Sequence, residues 1–155
     1  MNASKIFIIT GEQGEGKTTK LTQVIDILKK KNYKVSGFIA PGRWSDGLRS
    51  GFDIVDIKTG EKRLLCQSGY NEQYVKIGRF NFDAEAIKFG EQLLLNAADM
   101  ETDFIVIDEI GMYELQGKLW AGSFLKFFGS FTGYCFFGWL FQKFSSIMSW
   151  GLIGE

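Results

Sequence analysis

Residues 11–18 read Gly11-Glu12-Gln13-Gly14-Glu15-Gly16-Lys17-Thr18, and this run constrains the chain more than any other. It has the spacing G-x-x-x-x-G-K-[ST], in which every fixed position has a physical task. The glycines let successive backbone N–H groups turn inward as a concave anion nest. Lys17 brings a cation to the β- and γ-phosphates of a nucleotide, and the Thr18 hydroxyl is a ligand for Mg²⁺. Glu12, Gln13, Glu15 and Thr19 complete the segment that would line bound phosphates. The arrangement works only between a strand and a helix whose positive dipole end faces the same anion.

The flanks meet that requirement. Lys5-Ile6-Phe7-Ile8-Ile9 is a short apolar run suited to a strand buried on both faces. After the loop, Leu21, Val24, Ile25 and Leu28 recur at helical spacing, and Lys29-Lys30-Lys31 puts positive charge where the helix dipole favours it.

Composition narrows the chemistry. The 155 residues carry 18 basic and 18 acidic side chains, so no basic excess points to general nucleic-acid binding. Histidine is absent and the two cysteines, Cys66 and Cys135, are far apart. A zinc site and an imidazole base are therefore not expected. The cysteines read as reduced thiols of a cytoplasmic protein. Met1-Asn2-Ala3-Ser4-Lys5 lacks the features of a secretory signal. The uncharged stretch 127–142 contains Gly129, Gly133 and Gly138 and is shorter than the ~20 residues of a spanning helix, so no transmembrane span is expected. The aromatic region 119–155 reads as a helix, a buried strand and a closing helix. Its other reading is a contact surface for a protein partner or a membrane.

Further along, Lys34–Ala40 predicts a second strand and Pro41–Gly47 a loop. Gly51–Ile57 and Lys62–Cys66 flank Lys58-Thr59-Gly60-Glu61 as a β-hairpin, with Asp53 and Asp56 marking its wet side. Gln73–Ile77 predicts another short strand. Asp83 is placed to cap a helix bearing Ile87, Gly90, Leu93, Leu94 and Ala97 on one face. Phe104–Ile107 is a second fully apolar strand, Gly117–Phe128 predicts a helix, Tyr134–Leu140 a strand and Phe141–Trp150 a last helix. Strands alternating with helices imply a three-layer α/β fold with a mostly parallel sheet. The expected organisation is one domain over 1–155 with a hairpin insertion at about 42–80.

In an open α/β sheet, ligands sit beyond the carboxyl ends of the strands. The glycine loop follows one such end, and Asp108-Glu109 closes another. Asp108 fits the strand-end carboxylate that helps hold Mg²⁺, and Glu109 the group that polarises an attacking water.

Residues 104–114 read FIVIDEIGMYE. With the glycine loop and the segment Arg49-Ser50-Gly51-Phe52, they resemble the THEP1-type nucleoside-triphosphatase family. Its G-x-x-G-x-G-K-T-T loop is matched by Gly11, Gly14, Gly16, Lys17, Thr18 and Thr19. Its R-x-G-F segment is matched by Arg49, Gly51 and Phe52, and its D-E-[IV]-G element by Asp108, Glu109, Ile110 and Gly111. Gly78-Arg79-Phe80 resembles a further short segment of the family. The resemblance covers about residues 5–120. It implies a P-loop NTPase of RecA-like fold that hydrolyses ATP, GTP and other nucleoside triphosphates with Mg²⁺.

Met112 stands where many members carry lysine, and no arginine follows Arg79. The cations left to meet transition-state charge are Arg43, Arg49, Arg79 and Lys118. Arg49 reads either as a γ-phosphate ligand or as a surface group beside the hairpin. Trp44 reads either as a base-stacking ring or as a loop aromatic. Two other functions stand beside hydrolysis: a nucleotide or small-molecule kinase, and a nucleotide-dependent switch with little turnover.

Overall fold

The computed structural model describes residues 5–11, 14–69, 71–99, 101–110, 119, 122 and 134–139. The helices expected over 117–128 and 141–150, the loop residues Glu12 and Gln13, Gly111, Met112, Glu114 and Lys118 lie outside the described residues. So does most of the aromatic region 119–155.

The apolar run at the start forms β1 (Lys5–Thr10), and the glycine loop leads from it into α1 (Lys17–Lys30). Leu21, Ile25 and Leu28 are the buried stripe of α1, with Lys29 and Lys30 in its last turn. Next come β2 (Val35–Ile39), β3 (Gly42–Ser45), β4 (Leu48–Asp56), β5 (Lys62–Ser68), β6 (Val75–Ile77) and β7 (Phe80–Phe82). The helix α2 (Ala84–Asp99) follows, then β8 (Phe104–Ile110) and β9 (Tyr134–Trp139). Asp83 caps α2 as expected, its Oδ1 accepting the Glu85 N–H at 2.9 Å.

One sheet runs β1-β9-β8-β2-β4-β5-β7-β6, with β3 paired to β4. The expectation of a mostly parallel sheet is wrong. The pairs β1–β9, β9–β8 and β8–β2 are parallel. All the pairs from β2 outward, β2–β4, β3–β4, β4–β5, β5–β7 and β7–β6, are antiparallel. The reason is connection length. Parallel neighbours need a crossover of a dozen or more residues, usually a helix, and no helix lies between β2 and β7.

The helices cover opposite faces. Val106 packs with Leu21, Ile25 and Leu28 of α1, whereas Ile105 and Ile107 pack with Ala86, Leu94 and Ala97 of α2. This is the period-two alternation of a strand buried on both sides. Beta strand β2 sits so close to β8 that Gly37 has room for no side chain. Its φ is +102°, and a Cβ there would lie 2.0 Å from the Val106 carbonyl oxygen. Gly37→Ala is expected to destabilise the fold by at least about 2 kcal/mol through combined strain and overpacking. Urea unfolding checks this.

Two local expectations also fail. The segment 41–47 is no loop, because β2 continues past Pro41 into β3, which pairs with β4 through a two-residue turn. That turn, Asp46-Gly47, has φ of 50° and 74°, as a type I′ hairpin turn requires. Nor do Asp53 and Asp56 face water: both are buried. Asp53 is clamped by Arg43 of β3 at 2.9 Å and Lys62 of β5 at 2.8 Å. Asp56 ties down the β4–β5 turn, accepting from the Lys58 N–H at 2.9 Å and the Thr59 hydroxyl at 2.6 Å.

Candidate functional site

The glycine loop ends at Gly16, which caps α1 in a left-handed conformation, φ 81° and ψ 23°. Gly14 also has positive φ, at 90°. These conformations are cheap for glycine and turn backbone N–H groups toward one concavity. The first turn of α1 carries no acidic side chain and no side-chain cap. Its dipole and its amides are thus directed at whatever the loop encloses.

Lys17 is buried, and its Nζ donates to the Gly11 carbonyl at 2.9 Å. The ammonium thus lies across the loop from its first glycine. Glu15 is exposed to solvent. Its carboxylate bends toward Gly11, so that a Cβ on Gly11 would lie 2.8 Å from Glu15 Oε2. Thr19 is exposed.

The loop is joined to the end of β8. The Thr18 hydroxyl donates to Asp108 Oδ2 at 2.7 Å across 90 residues of sequence, and the Ala40 N–H donates to the same oxygen at 3.1 Å. Asp108 is almost wholly buried, at 1 % exposure. The start of α1 and the carboxyl ends of β8 and β2 therefore meet at Asp108, the first two of these as the sequence leads one to expect. The strand β9 lies between β1 and β8.

The backbone at Asp108-Glu109 is irregular. Ile107 pairs with Phe137 and Ile110 with Trp139, so two residues of β8 stand opposite Gly138 alone. That extra residue is a β-bulge, a device that re-aims strand residues beside active sites.

The donor set suits Mg²⁺. Thr18 and Asp108 offer hard oxygens 2.7 Å apart. Mg²⁺ characteristically takes one or two such protein ligands and completes its octahedron with phosphate oxygens and water. Among the described residues, no three His, Cys, Asp or Glu side chains cluster into a self-contained cage.

The three candidate arginines are engaged elsewhere. Arg43 pairs with Asp53. Arg79 lies over Phe80, 4.7 Å from the ring centroid. Arg49 lies between two rings of the β3–β4 hairpin, 4.4 Å from the Trp44 centroid and 4.8 Å from that of Phe52. The sequence reading missed this cradle, although Asp46-Gly47 between two candidate strands was the signal for the hairpin that builds it.

A strand, a left-handed glycine loop, a helix and a strand-end aspartate bonded to the loop define a P-loop protein of the α/β class. Within that class, the chain belongs to the THEP1-type nucleoside-triphosphatase family. The sequence pattern of the NTPase family matches residues 6–123. Nucleoside-triphosphatase THEP1 of Saccharolobus solfataricus is 40 % identical over 115 residues, which span 74 % of this chain and 64 % of that protein. The protein of the same name from Archaeoglobus fulgidus is 32 % identical over 125 residues, 81 % of this chain and 69 % of that one. The chain thus spans just under two thirds of the Saccharolobus relative. The fold matches the solution structure of a human cancer-related nucleoside triphosphatase with a TM-score of 0.72 at 24 % identity, covering 96 % of this chain and 85 % of that one. No described helix is long and apolar enough to cross a membrane.

Proposed function

We propose that the protein hydrolyses nucleoside triphosphates to the diphosphate and inorganic phosphate, with Mg²⁺ held between Thr18 and Asp108. The observation that carries this is the 2.7 Å bond from the Thr18 hydroxyl to Asp108, which ties the phosphate loop to a strand-end carboxylate. Loop amides and the α1 dipole hold the phosphates, and Lys17 moves from the Gly11 carbonyl to the β- and γ-phosphate oxygens. Thr18 and Asp108 would hold Mg²⁺, which would supply neutralisation of the negative charge on the phosphates. Glu109, one residue past the metal carboxylate, orients the attacking water. Arg49 is the cation nearest in sequence role to a γ-phosphate ligand, and it would have to leave its ring cradle to serve as one. The buried Cys66 thiol fits a reducing, cytoplasmic setting.

The test is release of inorganic phosphate from ATP, GTP, CTP and UTP with Mg²⁺, alongside equilibrium binding of each. Binding without release overturns hydrolysis in favour of a switch. Phosphate transfer only when an acceptor is added favours a kinase.

The metal assignment has its own check. Asp108→Asn and Thr18→Ala are each expected to remove most of the difference between nucleotide affinity in Mg²⁺ and in EDTA, because each deletes one of the two protein oxygens. Asp108→Asn should also lower stability by about 1–3 kcal/mol, since a neutral amide oxygen is a weaker acceptor than the carboxylate for the Thr18 hydroxyl and the Ala40 N–H, which both donate to one oxygen. A Mg²⁺ dependence equal to wild type in both variants overturns the assignment.

A further inference from the structure

Trp44 has no place in the core. It is 59 % exposed on β3, yet one side of its ring is organised. The Arg49 guanidinium lies 4.4 Å from its centroid, and Phe52 backs the same guanidinium at 4.8 Å. Phe52 is in turn held edge-on by Phe80, with centroids 5.7 Å apart. Gly42 permits the stack, since a Cβ there would lie 2.4 Å from Arg49 Nη1. Arg49 Nε is buried with no hydrogen-bond partner among the described residues, so the rings are a main part of what holds the guanidinium. The assembly Phe80–Phe52–Arg49–Trp44 therefore anchors an outer indole whose remaining face is open.

Its place in the fold gives that face a use. The strand β4 runs antiparallel to β2, pairing Val55 with Ile39, so the β3–β4 hairpin projects beyond the carboxyl edge of the parallel strands. That is the edge where Lys17, Thr18 and Asp108 meet. Ala40, bonded to Asp108, is four residues before Trp44. At ~3.3 Å per residue, the backbone of Trp44 is at most about 13 Å from that of Ala40 along the strand. This is within the length of a nucleotide whose phosphates lie in the loop.

We propose that the open face of Trp44, stiffened by Arg49, is a stacking subsite for the base of the bound nucleotide. The subsite rests on the phosphate-loop reading above. An indole face stacks on purines and pyrimidines alike, and Arg49 adds a cation on its far side. Trp44 would thus contribute affinity without strong choice of base.

The test is calorimetric titration of Mg·ATP, Mg·GTP and Mg·tripolyphosphate, the last having phosphates but no base. Trp44→Ala is expected to weaken ATP and GTP each about tenfold and to leave tripolyphosphate unchanged. Trp44→Phe is expected to keep most of the nucleotide affinity while reducing the quenching of tryptophan fluorescence by nucleotide. Wild-type nucleotide affinity in Trp44→Ala overturns the subsite. So does an equal loss for tripolyphosphate, which would mark Trp44 as a structural support of the hairpin. Failure of the phosphate-loop reading looks different: Lys17→Ala would then bind tripolyphosphate as wild type does, and the subsite would fall with it.

Discussion

Lys17→Ala is expected to lower the affinity for Mg·ATP by at least about thirtyfold while the protein stays folded. Removing one partner of a buried, charge-assisted contact typically costs 2–5 kcal/mol, and each 1.4 kcal/mol is a factor of ten. The site makes the loss large for two reasons. Lys17 is buried at the first residue of α1, inside the concavity that the phosphates would fill. Arg43, Arg49 and Arg79 are held by Asp53 or by aromatic rings, so none of these three arginines stands ready to replace it. The fold should persist because the apolar stripe of α1, Leu21, Ile25 and Leu28, is untouched. Loss of the bond to the Gly11 carbonyl loosens only the loop. Equilibrium titration beside circular dichroism checks both halves. Equal affinity in the two proteins would remove the phosphate loop as the binding site.

What the sequence made legible follows from how local each signal is. The glycine loop is read directly because its function depends on residue type at fixed spacing, and its context needs only one strand and one helix. Asp108 is legible for a similar reason, standing at the end of an apolar run that suits a buried strand. The sheet's sense is different. Nothing in β4 to β7 alone shows direction, and only the shortness of their connections, with no helix between β2 and β7, decides it. Asp53 misleads because β-alternation assigns it a face but says nothing of neighbours. Arg43 and Lys62 come from two different strands and cover it. Arg49 is a recognisable motif residue, but its cradle depends on Gly42 and Phe52 meeting across the β3–β4 ladder. That register is set by the Asp46-Gly47 turn together with the irregularity between Arg43 and Trp44, which shifts the pairing by one residue.

Glu109→Gln is expected to separate binding from turnover. Glu109 follows the aspartate that is bonded to Thr18, and its backbone lies in the bulge where β8 spends two residues opposite Gly138. A bulge there frees the residue after Asp108 from regular alternation, so consecutive carboxylates can serve one site instead of opposite faces of the sheet. The glutamine keeps size and hydrogen-bonding capacity but loses charge and proton affinity. Positioned acid–base groups contribute about 10²–10⁴-fold, so single-turnover phosphate release should fall at least about tenfold. Mg·ATP affinity should hold or rise, because one negative charge near the phosphates is gone. Asp108→Asn gives the opposite signature, weakening the metal dependence of binding itself. Unchanged release in Glu109→Gln would make Glu109 structural and leave the phosphate-loop backbone, Lys17 and the metal to carry the reaction. A parallel fall in release and in affinity would mean that the bulge, not the carboxylate, had been disturbed.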